Sequence, residues 1–300
     1  MSIVQKIQNH LYPDLPTSIE LIKPITWFPP MWAFLCGAVS TGSISLNDIP
    51  KIALGVFLAG PMVCGMSQAA NDWCDRHVDA INEPHRPIPS GRMPVKWGLG
   101  IAIAMSIMSL IVGWFLSFWG FVATAIAVIC AWAYSAEPIR LKKSGIWGPF
   151  LVGLCYEGLP WFTGAAILSI GFPRSDTVML AVLYAIGAYG IMTLNDFKAI
   201  TGDRRMGVKS LPVLIGETTA ARLACTVMLL PQMIVIYLLF DWNLSNYGLI
   251  IIVALVLQIL AMARLVRNPV KFTPWFNRTG VTFYVIGMMV SAVAVSSGIS

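Results

Sequence analysis

The chain has 300 residues, enough for two soluble domains, yet 57% are hydrophobic, only 11% are charged and the mean hydropathy is +0.74. Soluble domains carry roughly a quarter charged residues, so this chain cannot cover a water-facing surface and is expected to present most of its exterior to lipid. The formal charge of +6 does not point to nucleic acid, because the basic residues form no single stripe interleaved with aromatics.

From Met1 to Lys23 there is no basic region followed by an apolar core and a small-residue cleavage site. The segment is also too mixed in charge for an Arg- and Ser-rich transit peptide, which favours a bacterial membrane over a plastid one. Nine apolar stretches follow, each near the roughly 20 residues a membrane helix needs. They fall at 25–44, 51–72, 97–116, 118–136, 146–168, 177–197, 219–240, 246–263 and 279–297. The second runs into Asn71-Asp72-Trp73-Cys74-Asp75-Arg76-His77-Val78-Asp79, then Arg86-Pro87-Ile88-Pro89-Ser90-Gly91. A tight connection near Ser117–Gly120 joins the third and fourth, and the fourth leads into Tyr134-Ser135-Ala136-Glu137-Pro138-Ile139-Arg140-Leu141-Lys142-Lys143. Glu157, inside the fifth, is an acid at apparent membrane depth and therefore a candidate for lining an acceptor pocket. The sixth ends in Asn195-Asp196-Phe197-Lys198-Ala199, followed by Gly202-Asp203-Arg204-Arg205 and Lys209-Ser210-Leu211-Pro212. Prolines inside these stretches (Pro29, Pro30, Pro61, Pro160, Pro231) are tolerated where neighbouring helices satisfy the freed carbonyls. The six cysteines show no metal-ligand spacing and read as small buried hydrophobes; His10, His77 and His85 read as surface residues.

All of the 20 Lys and Arg except Lys51, Arg174 and Arg222 fall on the N-terminal segment and every second loop, and Arg222 opens a span on that same side. Basic residues accumulate on the cytoplasmic face, so the N-terminus is expected there and the C-terminus on the periplasmic side. Setting Asn71 against Asn195 aligns Asp72 with Asp196 and Asp79 with Asp203. Spans two to five and six to nine then read as two related four-helix halves with the first helix added. The expected fold is an all-α polytopic membrane protein, one domain over 1–300.

Asn71, Asp75 and Asp79 are spaced i, i+4, i+8, with Asp72 inside one turn, so their oxygens share one helix face. Acids crowded there near a bilayer need a cation. Oxygen-only ligands favour Mg²⁺, which takes one or two carboxylates plus substrate phosphates, and the adjoining Arg and Lys suit phosphate oxygens. Solvated loop charges are the plain alternative for one such motif; two in register at matching helix ends favour a Mg²⁺–diphosphate site. Tyr134, with Arg140 or Lys142 nearby, is a third candidate phosphate contact. A transporter would instead carry its acids near mid-membrane.

Asn71-x-x-x-Asp75-x-x-x-Asp79, the Tyr134–Lys142 element and the second Asp motif together resemble the UbiA-type intramembrane prenyltransferases. Over Lys23–Phe34, Asn71–Arg92 and Gly202–Pro212 the chain looks like the chlorophyll and bacteriochlorophyll synthase branch of that family, and the likeness covers nearly the whole chain. The resemblance implies nine helices around a central cavity capped on the cytoplasmic side, with Mg²⁺ as cofactor. It further implies transfer of a geranylgeranyl or phytyl group from its diphosphate to the propionate carboxylate of (bacterio)chlorophyllide, in a bacterial inner membrane. Together with the residue chemistry it assigns the metal to Asn71, Asp72, Asp75, Asp79, Asp196 and Asp203, of which Asp75, Asp79 and Asp203 are expected to be catalytic. Arg76, Tyr134, Lys142, Lys198 and Arg204 are assigned to the diphosphate. Ala199 stands where many relatives carry a further acid, leaving that side with fewer carboxylates. A quinone-precursor aromatic acid is the alternative acceptor on the same fold. Membrane lipid and other pigment-biosynthesis or pigment-binding membrane proteins are the expected partners.

Overall fold

With so little water-compatible surface, nearly every backbone N–H and C=O has to be satisfied within its own helix. The computed structural model describes residues 12–42 and 44–298; Lys6 and His10 lie outside them. A short helix, α1 (Leu15–Ile22), starts where the Asp14 carboxylate accepts the Thr17 N–H at 2.8 Å. It is followed by α2 (Phe28–Val39). Eight helices among the described residues are long and apolar enough to cross a membrane: α3 (Leu46–Asn82), α4 (Val95–Leu116), α5 (Phe118–Ser135), α6 (Trp147–Leu168), α7 (Ser175–Lys198), α10 (Glu217–Asp241), α11 (Ser245–Arg267) and α12 (Pro269–Ser297). Two short helices, α8 (Ile200–Met206) and α9 (Leu211–Ile215), fill the loop after α7.

The first expected span, 25–44, is the one that differs. Its helical core is only twelve residues, Phe28–Val39, about 18 Å at 1.5 Å per residue, because a 3₁₀ turn over Pro24–Thr26 precedes it and the helix stops at Ser40. Full-length membrane helices therefore number eight rather than nine among the described residues. α2 holds its place by backbone contact with α6. A Cβ on Gly37 would lie 1.9 Å from the Trp161 carbonyl oxygen, and one on Gly164 would lie 2.0 Å from that of Phe34. In lipid, where apolar burial offers helices little reason to associate, such close approach is what van der Waals attraction requires.

Two groups of four helices pack around α2. In the first, α3–α6, the buried cluster Leu21, Met66, Ala69, Ala102 and Val128 joins α1 to α3, α4 and α5. The second, α7 with α10–α12, buries Leu180, Ala224, Met228, Ile251 and Met288. Phe34 of α2 packs with Leu58, Leu116 and Ile167, while Ala33 and Cys36 pack into the second group. Two π-helical turns interrupt the first group, Leu58–Cys64 in α3, which contains Pro61, and Leu154–Gly158 in α6, just before Pro160. At one end of the bundle, Gly145 N–H donates to the Lys209 carbonyl at 2.9 Å, tying the loop before α6 to the loop after α8. This end also holds the basic clusters, and the two halves meet over it.

Candidate active site

A cavity of about 820 Å³ opens at that basic end and reaches down between α3, α5, α6 and α7. Small-molecule sites occupy roughly 300–1,000 Å³, so this one admits a long lipid-like ligand rather than an ion alone. Its deeper wall is apolar, with Leu58, Ala123, Ala127, Val152 and Leu159; its mouth carries Asn71, Asp75, Arg140, Lys142, Asp196 and Asp203.

The helix α3 does not stop at the edge of its apolar run but continues to Asn82, so the first motif is helical throughout. Each residue turns about 100°, which places Ser67, Gln68, Asn71, Asp75 and Val78 within an arc of about 100°, with Asp72 and Asp79 about 20° apart just beyond it. The cavity follows this division: all five residues of the arc line it, and Asp72 and Asp79 do not. Asp75 Oδ1 accepts from Arg140 Nη2 at 2.8 Å, and Asp75 Oδ2 accepts from Lys142 Nζ. Burial pushes the Lys142 ammonium below its ordinary range, with Asp75 working against that shift. Lys143 and Arg140 both donate to Glu137, holding its carboxyl below the usual carboxylate range. Asn71 Nδ2 donates to Ser135 Oγ at 3.1 Å, which commits the amide N–H to the protein and leaves its oxygen for a ligand.

On the flank of this face of α3, Asp72 is fully buried. Its Oδ1 accepts from Lys23 at 2.6 Å and from Arg86 at 3.3 Å, and Arg86 also donates to Asp79 Oδ2 at 2.8 Å. Asp79, the third member of the i, i+4, i+8 pattern, and Asp72, one turn from Asp75, thus fasten α3 to the segment after α1 and to the loop after Asn82. Arg76 lies over the Trp73 ring, 4.4 Å from its centroid, and donates to the Trp73 carbonyl. Tyr134 lines the cavity, whereas Lys198 and Arg204 are exposed and do not. Glu157 is buried off the cavity, and its Oε2 has no hydrogen-bond partner, so the expected acceptor-pocket lining by this residue is not what the fold builds.

The second motif has the same sequence register as the first but a different shape. α7 tightens into a 3₁₀ turn at Asp196–Lys198, the chain breaks at Ala199, and Asp203 sits on the separate helix α8. Asp203 thereby faces the cavity, accepting from Ser210 Oγ at 2.6 Å, while its counterpart Asp79 does not. Glu20, Asp72, Asp75, Asp79, Glu137 and Asp176 are each ion-paired. Asp196 and Asp203 make no ion pair among the described residues, although both line the cavity. Two uncompensated carboxylates at a cavity mouth fit a divalent cation. No group of three or more His, Cys, Asp or Glu is close enough to hold one alone among the described residues. That suits Mg²⁺, which completes its shell with substrate phosphates and water. Arg86 and Ser210 are absent from the sequence-based site because no spacing reveals which side chain a loop brings back onto a helix. Gln68 was within reach, since it stands three residues before Asn71 on the same face.

The chain is 59% identical over 295 residues to the "Bacteriochlorophyll synthase 33 kDa chain" of Cereibacter sphaeroides, covering 98% of each. Among solved structures, a digeranylgeranylglyceryl phosphate synthase superposes with a TM-score of 0.72 at 23% identity, over 93% of this chain and 98% of that one. A UbiA homolog from Archaeoglobus fulgidus bound to DMAPP and Mg²⁺ gives a TM-score of 0.65 at 18% identity, over 91% and 99%. Residues 26–295 match the model of the UbiA prenyltransferase family, and the chain belongs to that family.

Proposed function

We propose that the protein transfers a geranylgeranyl or phytyl group from its diphosphate to the propionate carboxylate of a chlorophyllide or bacteriochlorophyllide. The carrying observation is a cavity with a charged mouth and an apolar body, Asp75–Arg140–Lys142 facing Asp196 and Asp203 across it. A diphosphate head with an oily tail matches that division. The high identity to a protein named bacteriochlorophyll synthase supports the pigment acceptor. The charged mouth is taken to face the cytoplasm of a bacterial inner membrane.

Arg140 and Lys142 are both held on Asp75 and both line the mouth, so an arriving diphosphate offers them stronger acceptors. Asn71 with Asp75, and Asp196 with Asp203, are the residues that would hold Mg²⁺. The bound ion supplies charge neutralisation for the departing diphosphate. Ala123, Ala127, Val152 and Leu159 keep water from the allylic carbon, where hydrolysis would compete. The acceptor carboxylate is ionised at neutral pH, so no general base is required. Tyr134, at the mouth, is placed to donate to a phosphate oxygen.

The test is purified protein with geranylgeranyl diphosphate, with and without Mg²⁺, offered chlorophyllide, bacteriochlorophyllide and an aromatic acid together. Pigment ester formed only with Mg²⁺ is the expected result. Prenylation of the aromatic acid alone, or pigment ester undiminished by chelation, overturns the reading.

A further inference from the structure

One to two turns deeper than Asn71 and Asp75, the apolar wall is interrupted by a polar cluster. Gln68 Nε2 donates to the Tyr156 hydroxyl at 3.2 Å; Cys64 Sγ lies 3.4 Å from the same oxygen, and its thiol also reaches the Thr26 carbonyl at 3.5 Å. Thr26 Oγ1 lies 3.3 Å from Cys64 Sγ. All four residues line the cavity. Cys64 and Tyr156 come from the two π-helical turns, Leu58–Cys64 and Leu154–Gly158, and such turns recur at functional sites. The phenol oxygen accepts from Gln68, and its own proton is committed to no carbonyl or carboxylate in the hydrogen bonds of the described residues, with only the weakly accepting Cys64 sulfur in reach. The second N–H of Gln68 is likewise uncommitted.

Two donors without a strong acceptor on a cavity wall are complementary to an acceptor atom, and above all to an anion. The cations lining the cavity, Arg140, Lys142 and Lys143, all belong to the loop at its mouth. Gln68 lies about 4.5 Å deeper along α3 than Asn71 and about 10 Å deeper than Asp75. An anion at Gln68 and Tyr156 is therefore held by neutral groups, just below the place proposed for the diphosphate and its reacting carbon. For a carboxylate nucleophile this is the better environment. Neutral donors offset its desolvation without the charge withdrawal of a guanidinium or ammonium.

We propose that Tyr156 and Gln68 seat the carboxylate of the acceptor, an inference that rests on the function proposed above. One carboxylate oxygen bonds to the allylic carbon as the bond from that carbon to the diphosphate oxygen breaks. The diphosphate departs with the electron pair toward Arg140 and Lys142, and no proton moves because the acceptor arrives ionised. Thr26, whose hydroxyl donates to the Lys23 carbonyl at 2.8 Å, anchors Cys64 beside Tyr156 and so holds the phenol on the cavity wall, where a carboxylate is a far stronger acceptor for its proton than the thiol sulfur.

The experiment uses the full chain with geranylgeranyl diphosphate and Mg²⁺, comparing chlorophyllide with its propionate methyl ester as a binding competitor. Wild type is expected to bind the free acid at least about tenfold tighter than the ester, from the strength of a hydrogen bond to a charged group. Tyr156→Phe should bring that ratio toward unity and raise KM for chlorophyllide, leaving KM for the prenyl diphosphate unchanged. Gln68→Glu, which sets a like charge in the seat, should weaken binding of the acid and spare the ester; it decides the matter if Tyr156→Phe folds poorly. A wild-type acid-to-ester ratio in the folded variants overturns the seat while ester synthesis by wild type leaves the function standing. A wild type that esterifies no chlorophyllide overturns both.

Discussion

Asp75 is the residue on which the mouth of the cavity converges, since Arg140 and Lys142 both point to it. Asp75→Ala should lower pigment-ester formation by at least about 100-fold, the scale on which pre-organised charge acts in a transition state. Its partners are each partly solvent-accessible, so thermal unfolding and membrane insertion should change little; full activity in the variant would remove Asp75 from the site. Arg86 behaves in the opposite way. It neutralises Asp72 and Asp79, whose side chains are 0% and 8% exposed. Arg86→Ala strands the buried Asp79 carboxylate, while Asp72 keeps Lys23, and is expected to cost about 3–5 kcal/mol. The Arg92–Glu20 pair has the same chemistry, but both side chains are 44% exposed. Arg92→Ala should cost no more than about 1 kcal/mol. Melting both variants in one detergent checks the contrast, and equal losses would refute it. The spacing of Asn71 and Asp75 was legible because i and i+4 share a face on any helix. What lies beside that face is set by a chain segment elsewhere, and so the exclusion of Asp72 and Asp79 from the cavity could not be read from their spacing.

At the scale of elements, the long helices announce themselves. Expected spans such as 118–136 and 219–240 lie within two residues of Phe118–Ser135 and Glu217–Asp241. α12 starts ten residues before the expected 279, at Pro269, where the Asn268 side chain caps it by accepting the Lys271 N–H. The polar run between them hid that start, because a helix end that rises above the bilayer no longer needs apolar residues. α2 shows the reverse effect, an apolar stretch that forms only a short helix. It depends on contact at Gly37 and Gly164, where any side chain would meet backbone. Gly164→Ala is expected to lower the unfolding midpoint and the yield of folded protein. Gly100→Ala, with nothing within 4 Å of the added Cβ, is the matched control and should leave both unchanged. A Gly164→Ala variant as stable as that control would mean that α2 is held by something other than this crossing.

For the whole molecule, the segregation of Lys and Arg predicts that the charged mouth is cytoplasmic and that the C-terminal end of α12 lies on the other side of the membrane. A C-terminal reporter active only outside the cytoplasm should be active, and activity of a cytoplasmic-only reporter at that position would reverse the orientation. Composition, the positions of the long apolar spans and charge asymmetry belong to the sequence alone, because the bilayer acts as a solvent that reads hydropathy one segment at a time. The paired Asn/Asp motifs, too, were visible in one dimension. Which carboxylates face the cavity was settled only by tertiary structure: the helix break at Ala199 turns Asp203 inward, and Arg86 and Lys23 hold Asp72 and Asp79 off the cavity. The physical reason is that the direction of a charged side chain near a membrane follows its counter-ion, and that counter-ion is brought by the fold from a distant part of the chain.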